Sequence, residues 1–354
     1  MNMVTTWLDA MRPVVRKVMG EYEVPGMITA IARGNRQPEY LVVGTDGAGT
    51  ALKEDTLFPV ASITKLATAL AVLRLAAAGK LTVDDMLSRH LPEAAAAKPG
   101  VTLRTLMSHT SGLPVDLAEG AAPYKKGLDW PKLAKACLAT PLAEEPKTRV
   151  NYSNLGPGLL GMIVERMTGK PFNVALEDLV LGPLEIEGYL GVEPPRTPAK
   201  IVGDFGEHQG TELESFNSSF WRSLAMPWAG LVTNASGALT LARAFAGAPE
   251  GFLPPALLSE ATHDQTGGLG GEMFMLRWPR FPWGLGVEVR GDKAPHFTPE
   301  ETSPSSYGHI GTSGCMAWHD PEAEVSRAML GPRLFIDWVW GWPEIGKEIL
   351  KTAR

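Results

Sequence analysis

The chain of 354 residues has few cysteines, no long uninterrupted apolar run and no excess of positive charge. Cys137 and Cys315 are too few for a disulfide framework or a thiolate zinc site, so we expect two buried, inert thiols. No run reaches the roughly 18 apolar residues of a membrane span. The net charge of −6 argues against a nucleic-acid surface, which needs clustered Lys and Arg. The expected partner is therefore a small-molecule ester, amide or peptide substrate, with neither nucleic acid nor membrane.

Signals for metal and for export are missing as well. The seven histidines show neither H-x-x-x-H nor H-E-x-x-H spacing, and no motif requires a cofactor, so we expect none of either. The N-terminus lacks a continuous apolar segment and an A-x-A-like cleavage site. Its apolar residues instead approximate a helical stripe: Trp7, Leu8, Met11, Val14, Val15 and Met19. We expect a cytoplasmic protein, although a removed leader would leave no trace, and the sequence does not indicate an oligomeric state.

The order of predicted elements indicates two domains. Two β-rich runs around Gly34 predict a hairpin, and an almost wholly apolar segment from Thr64 to Ala78 predicts a buried helix that Gly79 ends. Helices joined by Pro- and Gly-containing loops follow, and strand patterns return beyond about residue 225. We therefore predict a discontinuous α/β sheet domain from 1–79 and 225–354, with a helical domain, 80–224, inserted in it.

The stretch FPVASITKLATAL places a serine and a lysine three residues apart at the start of that buried helix. Positions i and i+3 share one helix face, so the Lys65 amine can reach the Ser62 hydroxyl. Serine needs a base to become a nucleophile, and burial lowers the pKa of a lysine toward that use. Alone the motif is weak, since roughly one S-x-x-K is expected by chance in a chain this long. The alternative is that Ser62 caps the helix and Lys65 is solvated.

Two further patterns change the balance. In RVNYSNLGPGLLG, Tyr152 and Asn154 precede a glycine-bounded helix, where a phenol and a carboxamide can face one pocket. In YGHIGTSG, His309 and Gly311 lie on a predicted strand; the glycine permits close approach of a ligand, and the following Thr312 N–H can serve as an oxyanion donor. Each pattern alone also fits a structural tyrosine, turn asparagine or core histidine.

Taken together and in this order, S-x-x-K, Y-x-N and H-x-G resemble the serine β-lactamase and penicillin-binding protein superfamily. The likeness is to its class C-like branch, which includes class C β-lactamases, DD-peptidases, D-aminopeptidases and family VIII carboxylesterases. Further landmarks in family order are VTLRTLMSHTSGLP, ERMTGKPF, LGPLEI, WAGLVTNASGALTLARAF, WGLGV and HIGTSG followed by DPEAEV. The resemblance covers about residues 5 to 325. It implies an antiparallel sheet flanked by helices, with the active site between the two domains.

The resemblance also implies roles for the motif residues. Ser62 would be the acylated nucleophile, Lys65 its proton-exchange partner, and Tyr152 a second base whose pKa the neighbouring ammonium lowers. Asn154 would orient Lys65 and the substrate, and His309 and Gly311 would help to orient the substrate. The N–H groups of Ser62 and Thr312 would form the oxyanion hole. The base in each half-reaction stays unassigned, because strongly coupled groups titrate together.

Two features depart from the family pattern. After the DP turn the chain reads VSRAMLGPRLFIDWVW, where Arg327, Pro332 and Arg333 interrupt the expected apolar strand and put its course in doubt. Eight of the ten tryptophans fall between Trp221 and Trp342. Most should be core residues, and the alternative is an apolar acyl or alcohol pocket.

The expected activity is that of a serine hydrolase cleaving small or hydrophobic carboxylic esters through an acyl-Ser62 intermediate. A D-amino-acid peptidase or amidase, and a weak β-lactamase, are the enzyme alternatives, and acyl transfer to an acceptor other than water is a further one. The alternative of another class is a penicillin-binding-like sensor without turnover.

Overall fold

The computed structural model describes residues 7–118 and 120–353. The helices are α1 Trp7–Glu21, α2 Thr64–Ala77, α3 Leu87–His90, α4 Leu103–Met107, α5 Trp130–Ala139, α6 Leu155–Thr168, α7 Phe172–Leu176, α8 Ser219–Ser223, α9 Ala235–Phe245, α10 Pro255–Thr262, α11 Phe335–Trp338 and α12 Trp342–Ala353. The strands are β1 Gly26–Arg33, β2 Glu39–Gly44, β3 Phe58–Pro59, β4 Val150–Asn151, β5 Gly188–Tyr189, β6 Val232–Thr233, β7 Gly271–Met273, β8 Leu276–Trp278, β9 Glu288–Val289, β10 Tyr307–Gly311, β11 Cys315–Asp320 and β12 Val325–Leu330.

The main sheet has six antiparallel strands in the order β2-β1-β12-β11-β10-β9. Strands from both ends of the chain meet at its centre, where Ile28 of β1 pairs with Leu330 of β12. Two small three-stranded sheets, β3-β6-β5 and β4-β7-β8, complete the strand pairing. The predicted hairpin is confirmed, since β1 and β2 pair through Gly26 and Gly44. The expected antiparallel sheet flanked by helices is therefore confirmed.

Alternation along the central strands fills two different cores. Met27 and Ile31 of β1 pack on one face, in a cluster with residues of α1 and α12 such as Met11 and Ile345. The residues that alternate with them, such as Ala30, face the opposite side and join a core shared with α2 and α9. Because successive side chains of a strand point to opposite faces of the sheet, one strand contributes buried residues to both cores.

Helix α2 lies inside the molecule rather than on its surface. Eleven of its fourteen residues are buried, as the all-round apolar pattern predicts. It ends in a Schellman motif: the Gly79 N–H donates to the carbonyl of Ala76 and the Lys80 N–H to that of Leu75. Gly79 adopts a φ of 66° for this turn. The buried position of α2 places the Ser62–Lys65 segment between the main sheet and the helices that follow.

The doubt about the last strand proves wrong. VSRAML forms β12, a central strand of the sheet with all six residues buried. Arg327 is 2% exposed and pairs in the sheet with Ile31 of β1 and Trp318 of β11, and the Asp320 carboxylate partly offsets the cost of burying its charge. Burial lowers the pKa of Arg327 to about 10. Pro332 and Arg333 follow the end of the strand, so neither interrupts it.

Residues from both predicted domains share one hydrophobic core, in which Leu70 and Leu330 pack with Leu159; the division at 80–224 itself stays a prediction. Both cysteines are buried free thiols, as expected, and burial raises the pKa of each to about 12. The N-terminal stripe forms α1, with Met11 and Val15 fully buried, while the Trp7 side chain lies outside the described residues. Within the described part of the chain, no helix has the length and apolar content to cross a bilayer.

The turn after α2 generates a stability prediction. A Cβ at Gly79 would meet nothing within 4 Å, so Gly79→Ala tests the cost of the left-handed backbone alone. We expect the free energy of unfolding to fall by about 1 kcal/mol. In the matched control Gly20→Ala, the added Cβ also meets nothing but the residue lies in α1, so stability should rise by about 0.5–1 kcal/mol. Urea unfolding of both variants checks the two signs, and equal signs would contradict the backbone explanation.

Candidate active site

Ser62 lies in a tight turn rather than in the helix itself. The segment Ala61–Ile63 is a single 3-10 turn, and α2 begins only at Thr64. Ala61 has a φ of 46°, a strained value for a residue with a side chain. The Ser62 side chain makes no capping hydrogen bond to the helix, and Lys65 is only 3% exposed. The alternative of a capping serine beside a solvated lysine is therefore wrong.

The Lys65 amine has three oxygen neighbours. Nζ lies 2.9 Å from Ser62 Oγ, 2.9 Å from Asn154 Oδ1 and 3.0 Å from the Trp228 carbonyl oxygen. The Asn154 Oδ1 and Trp228 oxygens can only accept hydrogen bonds. Nζ also sits 4.8 Å from the centroid of the Tyr152 ring. The contact predicted from the i,i+3 spacing thus exists, and two pure acceptors hold it in place.

Burial holds the pKa of Lys65 well below its ordinary value, because an ammonium loses its hydration there. A neutral amine has two N–H groups and one lone pair. If Asn154 and the Trp228 carbonyl take both N–H groups, the lone pair faces the Ser62 hydroxyl, which can donate to it. The arrangement can therefore remove a proton from Ser62.

Tyr152 and Asn154 follow β4 at the start of α6, as the Y-x-N pattern predicted. Residues 113–116 run beside them: Asn151 Nδ2 donates to the Leu113 carbonyl and the Asn154 N–H to that of Val115. Ser153 Oγ accepts from the Leu155 N–H at the helix start. Because Ser153 satisfies this helix end, the Asn154 side chain is free to turn toward Lys65.

The expectation that the pKa of Tyr152 is lowered proves wrong. Tyr152 is 8% exposed, and burial raises its pKa above the ordinary value, although a hydrogen bond with Ser62 acts in the opposite direction. The neighbouring amine cannot lower it, because that amine is itself driven toward the neutral form. Tyr152 is therefore a protonated phenol near Ser62 at neutral pH, and is suited to donating a proton.

His309 and Gly311 occupy β10 but do not line the cavity at Ser62. The Nδ1 of His309 lies 2.6 Å from the Ile310 carbonyl, so Nδ1 carries the proton and donates. Burial lowers the pKa of His309 to about 3, and its ring packs behind that of Tyr152 at 5.9 Å. A Cβ at Gly311 would lie 2.2 Å from the Val60 carbonyl oxygen. The close approach predicted at this glycine is thus to the backbone before Ser62 and not to a ligand.

The two proposed oxyanion donors both border the cavity. Ser62 and Thr312 line it together with Tyr152 and Asn154. Within residues 7–118 and 120–353, neither the Ser62 N–H nor the Thr312 N–H donates to a backbone carbonyl. Both are thus available to a developing negative charge on a bound carbonyl oxygen.

Sequence reasoning missed Asp116 and His109. The Asp116 carboxylate accepts a hydrogen bond of 3.0 Å from Asn154 Nδ2, which fixes the amide so that Oδ1 faces Lys65. It also raises the pKa of Lys65, against the larger effect of burial. His109 is buried and neutral, accepts from the Ser153 N–H through Nδ1, and packs 4.8 Å from the Tyr152 ring. The only sequence signal for either was their place in or beside VTLRTLMSHTSGLP.

The cavity at Ser62 has a volume of about 380 Å³ and mostly apolar walls. Trp221 and Trp228 line it with Met226, Met273 and Phe274. Five other C-terminal tryptophans are fully buried core residues: Trp278, Trp283, Trp318, Trp338 and Trp342. Some tryptophans of this region are therefore core residues, and others line an apolar pocket. Glu272 is the only described lining residue with a formal charge. No Lys or Arg is among these lining residues.

The contact between Asp116 and Asn154 generates a prediction about pH. If Lys65 acts as the base for Ser62, the serine reacts only when Lys65 is neutral, and the rate of labelling by a fluorophosphonate probe should rise with pH through the Lys65 pKa. Asp116→Asn keeps an acceptor for Asn154 but removes a charge that raises this pKa. The rise should therefore move to lower pH. Asp116→Ala also frees the Asn154 amide, and the plateau rate should fall by roughly tenfold, part of what a positioned base contributes.

Glu272→Gln is the matched control for that experiment. Glu272 lines the same cavity, but it does not act on the Lys65 pKa. Its pH profile should coincide with that of the unmodified protein. An unchanged midpoint in Asp116→Asn, measured by intact mass across the pH range, would show that Asp116 has no electrostatic effect on Lys65.

The chain is similar to a known esterase in sequence and to a hydrolase and a β-lactamase in structure. Esterase EstB of Burkholderia gladioli is 32% identical over 323 residues, covering 80% of this chain and 81% of that protein. EstCE1, described as a hydrolase with promiscuous acyltransferase activity, has a similar structure, with a TM-score of 0.77, 22% identity, and coverage of 97% of this chain and 98% of its own. The class C β-lactamase of Rhodobacter sphaeroides aligns with a TM-score of 0.71 and 16% identity, over 97% and 99% of the two chains.

The two structural likenesses, at low identity, show a shared fold. The family model for Beta-lactamase matches residues 11–334, which include every motif residue discussed above. The chain therefore belongs to the beta-lactamase family, as its S-x-x-K, Y-x-N and H-x-G order indicated.

Proposed function

We propose that this family member is a serine hydrolase that cleaves uncharged carboxylic esters through an acyl-Ser62 intermediate. The observation that carries the proposal is a mostly apolar cavity, whose described lining residues include no Lys or Arg, beside a Lys65–Ser62 pair of 2.9 Å. The name of the Burkholderia relative, an esterase 32% identical to this chain, supports the same reaction class. No cofactor enters the proposed reaction.

Acylation begins when Ser62 Oγ attacks the ester carbonyl carbon while its proton passes to the Lys65 lone pair. The carbonyl oxygen becomes negative and accepts hydrogen bonds from the N–H groups of Ser62 and Thr312. The carbon–oxygen bond to the alcohol then breaks, and the leaving alkoxide takes a proton from the Tyr152 phenol. Transfer of the proton from Lys65 to Tyr152 restores both groups. The directions of the two pKa shifts favour Lys65 as base and Tyr152 as acid in this step.

Deacylation repeats the sequence with water as nucleophile. A water molecule gives its proton to the base system as it attacks the acyl carbonyl, and Ser62 Oγ leaves with a proton returned to it. The same two N–H donors stabilise the second tetrahedral intermediate. Asn154, held by Asp116, keeps Lys65 in place during both steps.

Charge in the cavity favours esters over the alternative substrates. β-Lactam antibiotics and peptide substrates carry a carboxylate, which needs a cationic partner when it leaves water. His309, at the position where many family members have lysine, is neutral because burial lowers its pKa to about 3. Burial also drives Lys65 toward its neutral form, and Glu272 adds a negative charge. These features support neutral esters over a D-amino-acid peptidase, an amidase or a β-lactamase.

Replacement of Ser62 tests the nucleophile. Ser62→Ala should reduce hydrolysis of p-nitrophenyl butyrate by about a thousandfold or more, and should abolish the acyl adduct seen by intact mass after rapid quenching. Ser215→Ala is the matched control, since Ser215 lines the same cavity without contacting Lys65, and should retain activity. Full activity in Ser62→Ala would remove Ser62 from the mechanism. An adduct that persists in the unmodified protein would favour the non-turnover sensor.

The preference for neutral substrates has its own test. We expect p-nitrophenyl methyl succinate to be cleaved with a kcat/KM at least about tenfold above that of p-nitrophenyl hydrogen succinate, which carries a free carboxylate. Phe274→Arg places a cation on the cavity wall, so the ratio of kcat/KM for the methyl ester to that for the free carboxylate should fall. In the control Met275→Arg, the adjacent residue is 85% exposed and does not line the cavity, so the ratio should not change. Equal rates for both succinates in the unmodified protein would contradict the electrostatic argument.

A further inference from the structure

A second, larger cavity adjoins the one at Ser62. Its volume is about 570 Å³, and Phe216 lines both cavities. The two neighbours of Phe216 in sequence line different cavities: Ser215 borders the cavity at Ser62, and Asn217 borders the larger one. The segment 215–217 therefore forms a wall between the two cavities.

Contacts of Asn217 and of the Phe216 ring hold this wall in place. Asn217 makes a two-way contact with Ile201: the Ile201 N–H donates to Oδ1 at 2.8 Å and Nδ2 donates to the Ile201 carbonyl at 2.9 Å. The Phe216 ring packs edge-on against Trp221 at 4.9 Å, and Trp221 itself lines the cavity at Ser62. Phe205 supports the ring from another side at 6.3 Å.

Phe216 is held in an unfavourable backbone conformation. Its φ of 64° is left-handed, which an aromatic residue adopts only when its surroundings compel it. A glycine would satisfy the same backbone without strain. The chain instead keeps a large ring at a position that lines both cavities.

We propose that Phe216 sets the length limit of the substrate and that the larger cavity is a second compartment for an unbranched acyl chain. This inference rests on the proposed ester hydrolysis at Ser62. The accessible surface of the larger cavity is more apolar than polar, although charged side chains such as Lys53, Asp55 and Arg196 also line it. With Phe216 present, an acyl chain ends at the ring; without it, the chain continues past Ser215 into the second compartment.

The test compares p-nitrophenyl acetate, butyrate, octanoate and laurate. In the unmodified protein, kcat/KM should fall for chains longer than butyrate. Phe216→Gly opens the wall and also relieves the left-handed backbone, so this variant should fold. The ratio of kcat/KM for octanoate to that for butyrate should rise by about tenfold or more, because each newly buried methylene is worth roughly fourfold.

Two further variants separate the wall from general loosening of the structure. Phe216→Ala removes the same ring but keeps the strain, and should change the chain-length profile as Phe216→Gly does. Phe205→Ala removes a ring that supports Phe216 but lines neither cavity, and should keep the unmodified profile. Thermal unfolding of all three shows whether each is folded under the assay conditions.

A second readout distinguishes failure of this inference from failure of the proposed function. Short- and long-chain alkyl fluorophosphonates label a reactive serine without turnover, and intact mass gives the ratio of the two rates. A ratio that rises in Phe216→Gly supports the wall even if no ester is hydrolysed. Folded Phe216 variants that label Ser62 with the unmodified ratio would overturn the inference and leave ester hydrolysis standing. Absence of labelling by either probe would overturn both.

Discussion

The burial of one amine controls the arrangement of the rest of the site. Moving a lysine out of water removes the hydration of its ammonium and drives it toward the neutral form. The structure then uses two pure acceptors, Asn154 Oδ1 and the Trp228 carbonyl, to occupy both N–H groups. What remains is a lone pair beside Ser62. The reactivity that we propose for the serine is thus a consequence of where Lys65 is buried and which atoms surround it.

That geometry depends on very close packing between the sheet and α2. Gly286 lies against this helix so tightly that a Cβ there would be 2.1 Å from the Ala69 side chain, and Gly311 approaches the Val60 carbonyl in the same way. Side chains at these positions would push the sheet away from the turn that carries Ser62. The left-handed backbone of Ala61 is tolerated because both sides of this turn are packed. Strain and close packing are therefore local conditions for the reaction centre.

Periodicity and motif spacing predicted the parts of this structure that depend on neighbours in sequence. The all-apolar α2, the Ser62–Lys65 contact and the entry of Tyr152 and Asn154 into one pocket all follow from local patterns. The failures arose where a distant residue decides the outcome. Arg327 is buried in a central strand because β1, from the other end of the chain, pairs with β12, and burial rather than the nearby amine sets the Tyr152 pKa. Asp116 could be recognised only once residues 113–116 were seen to run beside Asn154.

Chemistry and substrate choice are located in different parts of the chain. The groups proposed to react sit on buried, hydrogen-bonded segments, whereas another part of the cavity wall comes from connecting segments around Phe216 and Phe274, both with left-handed backbone. A change of wall residue can therefore alter size or charge preference without moving Lys65. The motif residues can specify acyl transfer, but they contain no information about wall charge or depth. The described lining residues of the cavity at Ser62 include no Lys or Arg, and the Phe216 ring lines both cavities; these are the features that argue for a neutral ester of limited acyl length.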